Sequence, residues 1–273
     1  MKTKSENNLK LAVFSTALGF FAVIVIWLFL KIMSAGMMLV WETLPEAVNL
    51  PFYTVIACTA GGLITGLFRK RFGDYPEELN VVMGKIKTEK KYEYRNMAVM
   101  IAGALLPLIA GSSIGPEAGM TGIIAGLCYW ASDNIKSAQN STKEYSEIGT
   151  AVTLGVLFNS PLFGIFAVEE NDEETVPALK KGNKLFLYGL AIAGGTASYM
   201  ILSNLFGAPM SGFPSFENSN LPELKDYLMI AVYLAAGLIL AVFYQYMHKI
   251  TVKAGNSIPA VLSETLAGLL LGL

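Results

Sequence analysis

Two long apolar stretches near the middle of the chain are each interrupted by a short polar sequence: Gly111-Ser112-Ser113-Ile114-Gly115-Pro116-Glu117-Ala118-Gly119 and Phe158-Asn159-Ser160-Pro161-Leu162-Phe163-Gly164. Backbone groups left unpaired in hydrocarbon cost several kcal/mol each, so a broken helix persists in a membrane only where it is buried in protein or lines a cavity. Breaks of this kind form substrate sites in transporters. This one feature rules out most folds open to a chain of this length.

Hydrophobic residues make up 53% of 273 residues and charged residues 15%, too apolar a balance for an ordinary soluble domain. The chain reads as an integral membrane protein. The run Leu11 to Leu30 follows a tail bearing Lys2, Lys4 and Lys10 and has the length of a bilayer-spanning helix, longer than the core of a cleaved leader. Further apolar segments lie at 52–68, 97–110, 118–131, 147–158, 161–168, 183–206, 226–247 and 257–273. Several are too short to span alone, as expected of half-helices that meet inside the membrane. They are apolar nearly all round, which excludes the alternating strands of an outer-membrane barrel. The fold class predicted is an all-α polytopic membrane protein.

Loop charge orients it. Segment 69–95 carries Arg69, Lys70, Arg71, Lys85, Lys87, Lys90, Lys91 and Arg95, whereas 34–51 and 207–224 carry no Lys or Arg. Basic loops stay on the cytoplasmic side, so the N-terminus and the 69–95 loop are expected inside a cell (inner or plasma) membrane. Lys180, Lys181 and Lys184 then start the 183–206 helix inside, and His248, Lys249 and Lys253 return the chain there.

Other chemistry finds little support. Cys58 and Cys128 stand singly in apolar runs and read as small core residues, with no metal or cofactor site around them. His248, the sole histidine, is placed at a helix end beside Lys249, where a cation favours the negative end of the helix dipole. Trp27, Trp41 and Trp130 read as packing and interface anchors. The Lys-rich 85–95 stretch is interleaved with Glu89 and Glu93, a solvated face and not a nucleic-acid patch. Gly111-Ser112-Ser113-Ile114-Gly115 matches the G-x-S-x-G nucleophile elbow, so an intramembrane serine hydrolase using Ser113 is one alternative. The elbow needs a preceding strand and a histidine in reach, and the expectation is that the protein is not an enzyme.

Gly115-Pro116-Glu117 ahead of an apolar run reads as a helix start, since proline suits the first turn. Such a start aims free N–H groups and a positive dipole end at whatever lies in front of it. Asn159 or Ser160 as cap, with Pro161 following, repeats the device. Two converging N-termini make an anion site without a buried Lys or Arg. Glu117 is a built-in anion that occupies that site when ionised and leaves it when protonated. An inverted-repeat carrier of small organic anions fits the same pattern.

The run from Gly155 to Glu170, with Phe158-Asn159-Ser160-Pro161-Leu162-Phe163-Gly164 at its centre, resembles the stretch "FNAPLAGxLFxxEE" of the CLC chloride channels and chloride/proton antiporters. Gly115-Pro116-Glu117-Ala118-Gly119 is similar to that family's "GREGP". The resemblance implies that Glu117 is the gating glutamate and that Gly115, Pro116, Ala118 and Gly119 border the anion. It places the family's "GSGIPE" on Phe72 to Glu77, with Gly73 where the chloride-binding serine stands and with Asp74 and Tyr75 beside it. Pro161 to Glu170 is one residue shorter than the family pattern, leaving Glu169 and Glu170 as candidates for an internal proton pathway. The resemblance further implies transport of an inorganic anion, as channel or proton antiporter, by a homodimer built from inverted repeats. The repeats are expected at 1–206 and from 226 to 273, with 207–225 as an extracellular linker. On that expectation the apolar ending at Leu273 reads as the N-terminal part of a longer protein.

Overall fold

The computed structural model describes residues 2–73, 75, 77, 81–82, 84–85, 94, 96–112, 115–134, 142–157, 162, 165–166, 181–209, 224–255 and 257–273. Nearly all of these are helical and none lies in a strand. The chain is an all-α polytopic membrane protein. Its longer helices among the described residues are α1 (Lys2–Met38), α2 (Leu44–Val48), α3 (Tyr53–Phe72), α4 (Met97–Ile109), α5 (Pro116–Asn134), α6 (Thr142–Leu157), α7 (Lys181–Phe206), α8 (Leu224–Gly255) and α9 (Ala260–Gly272), with 81–82, 84–85, 162 and 165–166 also helical. Among the described residues three stretches are long and apolar enough to cross a bilayer: Ala12–Val48, Leu185–Phe206 and Met229–Gly255. By contrast α4 and α9 have 13 residues each, about 20 Å of helix and short of a full crossing.

The first helix runs further than hydropathy alone suggested. Segment 34–51, read as a loop without Lys or Arg, is helical as far as Val48: α1 passes through a single π-turn, Leu39–Thr43, directly into α2. Nothing in that stretch breaks a helix. Gly36 lies under the side chain of Ile109, where a Cβ would come within 2.5 Å of it. Pro45 falls in the first turn of α2, directly after the π-turn. The turn closes at Asn49, in the left-handed region at φ 45°.

The core centres on α5. Met120, Ile123, Ile124, Ala125 and Cys128 are buried, and α4, α6 and α1 surround them with Met100, Ala104, Ile148, Ala151, Val152, Val23 and Ile26. A helix apolar all round must be enclosed this way or face lipid. The outward residues, among them Phe21, Leu28, Phe186, Met200 and Leu205, are large and apolar, as a lipid-facing surface requires. Hydroxyls inside the helices turn back on the preceding turn: Thr16 donates to Ala12 O at 2.9 Å and Thr153 to Gly149 O at 2.7 Å.

Two close helix pairs fix the rest. α1 and α7 run in the same direction, with contacts of Gly19 to Ala191 low down, Val23 to Gly195 above, Trp27 to Phe206 higher, and Lys31 to the carbonyl of Ala208 at the top. The backbones touch, since a Cβ on Gly194 would lie 2.7 Å from Thr16 O. α3 and α9 run oppositely and meet through glycines: Gly62 and Gly66 face Glu264 and Val261, Gly268 faces Cys58, and Gly272 faces Val55. Small residues at spacing four let membrane helices approach this closely, replacing lipid contact by backbone packing. α8 differs from all the others, being exposed at every described side chain from Met229 to Ala254.

Candidate functional site at the first helix break

α4 ends two residues before Gly111 in a Schellman turn. Ser112 N–H donates to Pro107 O at 2.9 Å and Gly111 N–H to Leu108 O at 3.2 Å, with Gly111 at φ 86°. The remaining carbonyl at the helix end, that of Ile109, accepts the indole N–H of Trp41 at 3.0 Å. Trp41 reaches it from the π-turn after α1, a distortion that often marks functional positions. The Val40 carbonyl in the same turn accepts from Tyr53 Oη at 2.6 Å. The indole also covers Gly111, where a Cβ would stand 2.7 Å from the ring. The break is therefore held from outside its own helix.

α5 opens at Pro116, at the position expected from sequence. Gly115 and Pro116 are half-buried, and one turn further on Gly119 and Met120 are fully inside the core. The N–H groups of Glu117 and Ala118 belong to this first turn and have no partner within the helix. The positive end of the helix dipole, about half a charge, thus points back toward the break from the edge of the core. Ser112 Oγ, just ahead of it, is buried and has no hydrogen-bond partner. The side chains of Glu117 and Ala118 lie outside the described residues, as do Ser113, Asp74, Asn159, Ser160, Pro161, Glu169 and Glu170.

Gly73 is the C-cap of α3. Its N–H donates to Arg69 O at 2.9 Å, and its φ of 101° with ψ of 177° is a conformation open essentially only to glycine. Gly73 is exposed, and Tyr75 after it turns in to pack on α4, where a Cβ on Gly103 would come 2.6 Å from Tyr75 Cβ. From Gly103 to the end of α4 is about 10 Å, so this loop sits roughly two turns of helix from the first break.

Three placements were not anticipated. Trp41 is a clamp on the break and not only an interface anchor. Glu264, inside the apolar run 257–273, pairs with Arg69 across the α3–α9 seam. An acid within a spanning segment is the signal that marks such a residue, and it was legible there. His248 stands two turns before the end of α8 with its ring stacked on Tyr244, at 5.9 Å between centroids, and Lys253 occupies the last turn instead. The dipole effect fades beyond the last turn, so Lys253 and not His248 complements it. The elbow reading of Gly111 to Gly115 also lacks its context, because the element before it is the helix α4 and not a strand.

Apolar spans, half-length helices and a helix N-terminus buried beside a break define a polytopic membrane protein of the interrupted-helix type. Residues 61–273 match the family model described as voltage gated chloride channel, and the chain belongs to that family. It is similar to two bacterial proteins named "Putative ion-transport protein YfeO", from Escherichia fergusonii and from Escherichia coli O17:K52:H18. Each is 22% identical over 281 residues that cover 99% of this chain. The chain spans 64% of the length of each.

Proposed function

We propose that the protein carries an inorganic anion such as chloride across the cell membrane, along a path that passes the N-terminus of α5 and is gated by Glu117. The observation that carries this reading is the start of α5 at Pro116, at the edge of the buried core, in a chain of the voltage gated chloride channel family. Free N–H groups and the helix dipole favour a negative charge there, and an ionised Glu117 competes with the anion for them. Protonation removes that competitor. The loop at Gly73, Asp74 and Tyr75 and the second break at Asn159, Ser160 and Pro161 complete the path in this reading, with Glu169 and Glu170 offering an internal route for protons. The N-terminus is cytoplasmic, two such chains associate, and the repeats divide at 207–225.

The decisive experiment measures anion and proton movement together in proteoliposomes, with a chloride electrode and an external pH electrode. Glu117→Gln imitates the protonated acid, so anion flux is expected to persist or rise while its pH dependence and any coupled proton movement disappear. Proton movement in the wild type identifies an antiporter and its absence a channel. A folded Gln variant with wild-type pH dependence removes Glu117 from the mechanism.

A further inference from the structure

Between α3, α4 and α9 lies a cavity of about 220 Å3, room for several waters. Cys58 and Thr65 line it from α3, Pro107 from α4, Ser112 from the break, and Glu264 and Gly268 from α9. The glycines that let α3 and α9 touch leave this space open on the side facing α4. Its polar groups are unusual for the interior of an apolar bundle. Ser112 Oγ is buried without a partner, and such a group calls for water or an unidentified ligand. Thr65 is 6% exposed. Glu264 lines the same space while 26% of its side chain stays exposed, so it sits at the mouth. Among the described residues the charged or titratable groups facing it are Arg69 and Cys58 from α3, and neither α4 nor the described part of the break adds one to the lining.

We infer that this cavity is a hydrated proton-uptake site, with Glu264 as its proton acceptor and the Ser112 hydroxyl as its inner end beside the break. A hydronium ion at the mouth gives its proton to the Glu264 carboxylate, forming an O–H bond, leaving water and releasing Arg69 from the ion pair. Re-ionisation passes that proton to water inside, and Ser112 relays it by accepting one hydrogen bond while donating another. Arg69 holds the emptied carboxylate at the mouth between cycles. This inference rests on the proposed anion path only in its destination, the break ahead of α5.

Two measurements test it on the whole protein in liposomes. The first asks whether water reaches the cavity, using the chain's own thiols and 2-aminoethyl methanethiosulfonate. Cys58 and Cys128 are 3% and 1% exposed, yet only Cys58 lines the cavity. Cys58 is expected to react about tenfold faster, since access governs thiol reactivity. Equal, slow rates mean a dry cavity and overturn the inference. The second follows proton and anion movement after Glu264→Gln and Ser112→Ala. Proton movement is expected to fall by about a hundredfold in the first, the scale of losing a positioned acid–base group, with anion flux retained and Glu264→Asp restoring it. Parallel loss of both fluxes in Glu264→Gln and Arg69→Gln assigns the pair to packing alone and overturns the inference. So does a Gln variant with wild-type proton movement. If the wild type moves no anion, the transport reading fails, while the thiol experiment still decides whether the cavity is wet.

Discussion

Gly111 and Trp41 show how much of the break depends on single side chains. Alanine at Gly111 must adopt φ 86° and push against the indole, so Gly111→Ala is expected to lower stability by about 1–3 kcal/mol, read as a fall in melting temperature in detergent. Trp41→Phe keeps the ring but leaves the Ile109 carbonyl unpaired, at a similar cost of about 1–3 kcal/mol. On the proposed anion path, Gly73→Ser adds a hydroxyl donor and should favour chloride over nitrate. Its φ of 101° adds a penalty of about 1–3 kcal/mol, so stability and selectivity should be measured on the same sample. The sequence marked Pro116 because proline and glycine act locally. It did not mark Trp41 as a clamp, because its acceptor lies 68 residues away and no local pattern encodes that pairing.

Helix positions were legible because burial in a bilayer leaves a continuous apolar record. Segments expected at 97–110, 183–206 and 257–273 correspond to α4, α7 and α9 within a few residues. The overrun of α1 as far as Val48 was not legible, since a lack of Lys and Arg does not distinguish a loop from a helix. Nor was the partner of α9. Its glycines at 268 and 272 match those of α3 at 62 and 66, but small residues tell that a helix packs closely and not against which neighbour. Gly268→Val puts side-chain atoms into the Cys58 backbone, and overpacking of this kind costs about 1–3 kcal/mol or more. The expected result is a lower melting temperature together with faster modification of Cys58 as the seam opens. An unchanged melt would mean that α9 is held elsewhere.

For the whole molecule, the test of orientation is chemical labelling from one side. Single cysteines at Lys87 and Ser219, in a background without Cys58 and Cys128, are expected to divide: an impermeant external reagent modifies position 219 and spares 87. The reverse result inverts the topology. The shared direction of α1 and α7 adds a constraint that charge counting does not supply. Two neighbours pointing the same way oblige the intervening chain to return to the face where α1 began. α3 runs opposite to α4, through the contacts of Gly61 with Ala110 and Phe68 with Gly103. Whatever depth α4 then gains has to be given back before α7 can begin. The breaks are thus free to vary in depth but not in parity: one extra complete crossing between α1 and α7 would turn α7 upside down and abolish its seam with α1.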